Sequence, residues 1–321
     1  MSLAKKIGLG RLAYHCVHAP LGWAHTLWLD GGPRQRRLTT EGKLAMEQAA
    51  RRLPAPPSGE GAPVVLHLLT GRRFWYQTAF CLWSFAQTSG RTVHPVLLDD
   101  GTLDEACTEP LLQLFPSTRV CCAAEIEARL DQVLPETRFP SLRVRRRGFP
   151  LLRKLIDPHA GQAGWRLQID SDLLFFRRAD HLLAWHDAPC VPLRAEDVTN
   201  AYGYPLALLN ELAGRPVPER VNTGLLGLRS DEIDWERMEF WCRTLLKRGG
   251  PQYYQEQALV ALLLAGRECV VPPASDYVLL PRPPEAHACR AVMHHYVAES
   301  KRWYFQNNWK RVLAAPHLNN P

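Results

Sequence analysis

Apolar runs short enough for single strands alternate along this chain with longer segments in which apolar residues recur every three or four positions. VVLHLLT (64–70) has the apolar continuity of a strand covered on both faces, as in a central parallel sheet. After Gly71, residues Tyr76, Ala79, Phe80 and Trp83 recur at helical spacing, which predicts a helix with Gln77 and Gln87 turned to water. VHPVLLDD (93–100) predicts the next strand, 103–114 an amphipathic helix, STRVCC (117–122) a short strand, and Ile126, Leu130 and Val133 the buried stripe of another helix. Strands and helices in this order predict an α/β fold of three layers, with a mostly parallel central sheet covered by helices on both faces. Upstream, 35–53 suits a charged helix, and PAPPSGEGAP (54–63) breaks it with four prolines and two glycines. Residues 1–60 are therefore expected to form an N-terminal extension and linker, and 61–321 the main domain.

Ligands of such sheets bind beyond the carboxyl ends of the strands, where loops and helix N-termini converge. TGRRF (70–74) leaves one such end with Arg72 and Arg73, and LLDDG (97–101) leaves another with Asp99 and Asp100. Arg72 is the candidate for ligand contact carried forward from this pair of turns. Phe74, Trp75 and Tyr76 stand where they either stack on a base or sugar or fill the core. Neither a glycine-rich dinucleotide fingerprint nor a GxxxxGK[ST] phosphate loop follows the first strand.

LQIDSDLLFF (167–176) places two carboxylates inside an otherwise apolar run. Residues 167–169 are predicted as a strand, with Asp170, Ser171 and Asp172 at its carboxyl end. Side chains at i and i+2 of an extended segment share a face, so Asp170 and Asp172 can converge, and two hard oxygen donors suit Mg²⁺ or Mn²⁺. Downstream, Asn222-Thr223-Gly224 precedes an apolar strand-like run, and Glu256-Gln257 opens an apolar helix (253–266). AVMHHYVAESKRWYF (291–305) runs from a strand into His294, His295 and Tyr296, then into Lys301, Arg302 and Trp303. A neutral imidazole can complete a divalent-metal shell, and a lysine six residues later can balance a diphosphate.

Together these segments resemble the GT-A nucleotide-sugar glycosyltransferases, in particular the retaining glycogenin-like and galactosyltransferase-like group, family 8-like. That group has a D-x-D after a core strand, an N-[TS]-G segment, a D-Q near a helix start and a terminal H-[FY]-x-G-x-x-K-P-W. The last motif is matched in spacing at His295, Tyr296, Lys301 and Trp303, with Ala298 where glycine is usual and Arg302 where proline is usual. The D-Q pair stands here as Glu256-Gln257, and Lys154 resembles the basic residue that approaches the donor. The resemblance implies a metal-dependent hexosyltransferase that uses an NDP-sugar donor, UDP-sugar favoured. It implies Mn²⁺ or Mg²⁺ on Asp170, Asp172 and His295, donor binding by Lys154, Ser171 and Lys301 with the two aspartates, and catalytic roles for Lys301, Gln257 and Asn222; Arg72 joins the donor-binding candidates from its place at the end of the first strand. A retaining outcome needs no strong base; an inverting one needs a carboxylate, for which Glu256, Glu196 and Asp197 are available. The acceptor, whether glycan, lipid or protein, is not written in these motifs.

Composition changes this picture little. The 321 residues are 46% hydrophobic, ample for a core, and 39 basic against 32 acidic residues leave a formal charge of +7 that favours anionic partners. RVRRRGFPLLRK (143–154) contains five arginines but no interleaved aromatics to stack on bases, which argues against nucleic acid. Nine scattered cysteines without a CxxC pair read as free thiols of a reducing, cytoplasmic compartment. Arg11, His15, His18 and His25 interrupt the opening segment, so neither a signal peptide nor a membrane span is expected, though its Trp and Leu residues could rest on a membrane surface or the core. Two competing functions are a sugar-phosphate nucleotidyltransferase, for which TGRRFWYQ is a poor loop, and a non-catalytic sugar- or partner-binding descendant.

Overall fold

The computed structural model describes residues 31–314, so the expectations about 1–30 lie outside the described residues. Six strands form the main sheet: β1 (Val64–Thr70), β2 (Val93–Asp99), β3 (Arg119–Cys121), β4 (Trp165–Ile169), β6 (Leu193–Glu196) and β7 (Val221–Arg229), in the order β3-β2-β1-β4-β7-β6. The pairs β1–β2, β1–β4 and β2–β3 are parallel, whereas β7 runs antiparallel to both β4 and β6. The sheet is thus mostly parallel, as expected, and mixed only where VNTGLLGLR turns back against β4 and β6. A second sheet of three short strands, β5 (Leu173–Phe175), β8 (Tyr277–Leu279) and β9 (Met293–His295), has the order β5-β9-β8.

Among the described residues, the helices of eight residues or more are α1 (Pro33–Ala50), α2 (Trp75–Ser89), α3 (Glu105–Leu114), α4 (Ala123–Val133), α5 (Pro140–Gly148), α6 (Asp180–Asp187), α7 (Leu206–Ala213), α8 (Trp235–Gly249) and α9 (Gln255–Leu263). None is long and apolar enough to cross a membrane. The period of two along each strand separates two cores. Leu66 and Leu68 of β1 with Leu97 of β2 pack with α2, while Leu98 packs with Ile126, Leu130 and the helix α9 on the other face. Each such fully buried Leu or Ile contributes roughly 1.5–3 kcal/mol relative to exposure.

Helix α2 is buried almost all round, which corrects one expectation and decides one alternative. Gln77 is buried instead of facing water, and Trp75 and Tyr76 are core residues unable to stack on a ligand. Between them the sheet, β5 and α1 leave no solvent side for most of the helix. On α4, Val133 is exposed, so the buried stripe is Ile126 and Leu130 alone. Helix α1 joins the first core through Met46 and Ala50, and Gly42 lets it lie directly on the Phe305 carbonyl, where a Cβ would overlap. Gln306 Nε2 fastens the same contact by donating to the Gln35 carbonyl oxygen at 3.2 Å and to Thr39 Oγ1 at 2.9 Å.

The arginine-rich run folds inward. Arg143 Nη2 reaches Glu127 at 3.0 Å and Asp131 at 2.7 Å. Arg146 is clamped between Glu127 and the fully buried Asp157, donating to both Asp157 oxygens at 2.5 and 2.9 Å. Arg145 donates to Gln255 Oε1, Arg147 pairs with Glu136, and Arg153 donates to the Asp100 carbonyl oxygen. These arginines hold α5 to its neighbours and do not make a free basic face. Burial raises the Asp157 pKa against the pull of Arg146, its nearest counter-charge, and of Arg153. Arg146→Met is expected to cost about 3–5 kcal/mol in urea unfolding because it strands a buried carboxylate, and Arg146→Met/Asp157→Leu is expected to recover most of that loss. A double variant no more stable than the single one would show that the arginine acts by packing.

Candidate active site

The apolar-acidic-apolar pattern of 167–176 has a structural cause. Strand β4 belongs to the main sheet and β5 to the small one, and Asp170-Ser171-Asp172 is the crossing between them. The Asp170 amide donates to the Gly224 carbonyl oxygen at 2.9 Å, extending the β4–β7 ladder, and the Tyr296 amide donates to the Asp172 carbonyl oxygen at 3.0 Å, extending β5–β9. Both aspartates are therefore anchored by their backbones, one to each sheet. Register then delivers the histidine, because Leu173 pairs directly with His295.

One ligand atom each of Asp170, Asp172 and His295 lies within 4.8 Å of the others. His295 Nε2 is 3.2 Å from Asp172 Oδ1 and 3.5 Å from Asp170 Oδ2. Lys154 Nζ sits 2.7 Å from Asp170 Oδ1, and Lys301 Nζ 3.2 Å from Asp172 Oδ2. Burial alone would raise the Asp172 pKa, but His295 and Lys301 outweigh it and hold the carboxyl well below its usual range. Burial would likewise discharge Lys154, yet Asp170 and Glu256 raise its pKa further and keep it cationic. Two carboxylates and an imidazole whose donor atoms converge fit a divalent cation such as Mg²⁺ or Mn²⁺.

A second group of polar residues adjoins the cluster through β7. Asp197 Oδ2 accepts from Asn222 Nδ2 and from Gln257 Nε2, both at 3.1 Å, so this aspartate brings the two predicted amides together. Asn222 Oδ1 accepts from the Gly224 amide at 2.9 Å. Thr223 Oγ1 donates to Glu256 Oε2 at 2.8 Å, and burial pushes the Glu256 pKa up although Lys154 and Thr223 oppose it. Thr223 was not a candidate from sequence, since a threonine in a strand needs no functional explanation.

The other predicted residues, Ser171 excepted, have partners outside the cluster. Arg72 is exposed and pairs with Asp104, the cap of α3, at 2.6 Å. Asp99 accepts from the amides of Gly101 and Leu103, and Asp100 from the amide and hydroxyl of Thr102, so both build the turn after β2. Glu196 pairs with Arg220 at 2.5 Å. Ser171 is half-buried within the crossing.

The sequence matches no family model and no curated protein. Among solved structures, the galactosyltransferase LgtC, in complex with donor and acceptor sugar analogs, superposes with a TM-score of 0.50 at 11% identity, over 80% of this chain and 97% of that one. The fold is GT-A-like. Mouse xyloside xylosyltransferase 1 (TM-score 0.45, 13% identity, 73% of this chain and 97% of that one) and the glycosyltransferase GlyE of Streptococcus pneumoniae TIGR4 (0.46, 12%, 79% and 63%) are also similar. In this GT-A-like chain, the terminal motif's departure from glycine leaves a physical trace: Ala298 has φ +46°, a left-handed conformation that favours glycine.

A Cβ on Gly224 would overlap Cε1 of His295, so Gly224→Ala is expected to displace the imidazole and weaken Mn²⁺ binding at least about tenfold, with a stability loss of about 1–3 kcal/mol. Calorimetric Mn²⁺ titration beside urea unfolding reads both, and unchanged affinity would remove His295 from the metal shell. Conversely, Ala298→Gly is expected to stabilise the chain by about 1 kcal/mol by relieving the left-handed strain, measured as a raised urea midpoint at constant slope.

Proposed function

We propose that this chain is a metal-dependent glycosyltransferase that moves a sugar from an NDP-sugar, a UDP-sugar in the favoured case, to an acceptor. The observation that carries the proposal is the convergence of Asp170, Asp172 and His295 at the end of β4, flanked by Lys154 and Lys301. Bound there, Mn²⁺ or Mg²⁺ would supply Lewis-acid neutralisation of the donor diphosphate. Lys301, reaching Asp172 from the segment after β9, is free to turn to the departing phosphate, where charge grows as the glycosidic bond breaks. Lys154 adds fixed positive charge behind Asp170. Asn222 and Gln257, oriented by Asp197, face the transferred sugar or the acceptor. Ser171 meets the donor from the crossing, and Arg72 does so on leaving Asp104.

A retaining outcome is the better supported one. Glu196 is engaged by Arg220, Asp197 by two amides, and Glu256 is buried against Thr223 and Lys154, so each carboxylate weighed as an inverting base already has a partner. The departing phosphate then takes the acceptor's proton. Eight unpaired cysteines among the described residues support a reducing, cytoplasmic setting.

Calorimetric titration with UDP, GDP and CDP is expected to show binding of at least one diphosphate that requires Mn²⁺, and Asp172→Asn is expected to remove most of it while leaving thermal unfolding nearly unchanged. Equal binding in a chelator would sink the metal assignment, and no nucleotide binding at all would favour a non-catalytic descendant. His295→Ala is expected to be rescued by excess Mn²⁺, whereas Lys301→Met lowers turnover by about a hundredfold with little change in donor affinity. Retention is checked by the anomeric configuration of the product in proton NMR.

A further inference from the structure

The face of the main sheet opposite Leu66 and Leu68 carries polar residues that the active site does not use. His67, His159 and Gln168 are buried there, and neither polar atom of the Gln168 amide has a hydrogen-bond partner among the described residues. Arg166 Nη1 lies 3.0 Å from His67 Nε2, and its Nη2 donates to Gln162 Oε1 at 2.6 Å. Arg129 Nη2 donates to the Asp157 carbonyl oxygen at 2.5 Å, and Arg119 pairs with Glu125 at 2.8 Å. With Cys121 and Asp157, these three arginines line a cavity of about 50 Å³. A single water needs about 10–15 Å³ of such space, so the cavity suits a few waters or one small oxyanion.

The charges around it do not balance. Among the described residues, Arg129 and Arg166 form no ion pair with a carboxylate, and the Nε–H of each is buried without a partner. Asp157 has both carboxylate oxygens taken by Arg146, and Glu125 serves only Arg119 at the exposed rim. Burial, then the neighbouring charges of Arg129 and Arg119, lower the Arg166 pKa. Burial and Arg166 depress His67 to about 4, so its imidazole is neutral at pH 7. Arg129 and Arg166 are half-buried, so holding their like charges together without a counter-ion carries a cost, and guanidinium forks match the oxygens of phosphate.

We propose that this cavity is a second anion site, which takes one phosphoryl group, as inorganic phosphate or a small phosphomonoester, on Arg119, Arg129 and Arg166. It is separate from the metal cluster: Arg166 and Asp170 lie four residues apart, about 13 Å along an extended strand, with Arg166 toward the amino end. The site stands whether or not the chain transfers sugars.

Inorganic phosphate is titrated calorimetrically into the full chain in a chelator, against chloride at equal ionic strength, with glycerol phosphate as a second ligand. One phosphate is expected to bind per chain, at least about tenfold more weakly in Arg129→Gln and Arg166→Gln, and several-fold more weakly in Arg119→Gln, whose exposed side chain leaves folding undisturbed. Asp172→Asn is expected to bind phosphate as the parent does, and the three arginine variants to keep Mn²⁺-dependent nucleotide binding. Tighter binding of glycerol phosphate assigns the site to a monoester, and tighter binding of inorganic phosphate to the free ion. No binding by the parent at about 10 mM, or binding lost in Asp172→Asn but kept in Arg129→Gln and Arg119→Gln, overturns the proposal.

Discussion

Everything at the candidate site depends on one segment serving two sheets. From Trp165 to Phe175 the chain finishes a strand of the main sheet, crosses in three residues and begins a strand of the small one. Backbone hydrogen bonds to Gly224 on one side and Tyr296 on the other hold the crossing at both ends. Asp170 and Asp172 therefore have little freedom to separate, and the β5–β9 register sets His295 opposite Leu173 beside them. Such backbone anchoring is what keeps convergent like charges from relaxing apart.

Electrostatics completes what the backbone begins. Two neighbouring carboxylates in partly dry surroundings would repel and protonate. Lys154, brought by the short helix at Arg153–Ile156, and Lys301, brought by the helical turn after β9, each answer one of them. The two lysines come from segments almost 150 residues apart, so the charge balance is a tertiary property. Behind this cluster Asp197 gathers the amides of Asn222 and Gln257, and Glu256 leans on Thr223.

Arginines elsewhere show how little a net charge says about a surface. The run at 143–154 is the most basic stretch, yet Arg143 and Arg146 are buried and paired with Glu127, Asp131 and Asp157. Across the same region Arg129 and Arg166 pair with no carboxylate among the described residues. Compensation is thus distributed unevenly: complete along α5 and deficient at the cavity under β2 and β3.

The alternation of strand and helix periods, the acidic triplet at a strand end and the spacing from His295 to Lys301 were all legible in the sequence, because each is local: period, turn chemistry and separation along one chain segment. That legibility extended to the candidate metal cluster, since two carboxylates at a strand end stand out in an apolar run and Asp170, Asp172 and His295 do converge. It stopped where the outcome depended on what packs from elsewhere. Gln77 looked solvated because its helix was read with one buried face, and only α1 and β5 cover the other. Asp99 and Asp100 stood at a strand end that sequence alone leaves open, and the turn after β2 uses their oxygens for its own amides. The antiparallel course of β7, the partners of the five arginines and the pairing of Asp197 with two distant amides were decided by tertiary structure alone. Sequence states which groups a segment offers; which of them meet depends on long-range packing, whose partners lie tens to hundreds of residues away.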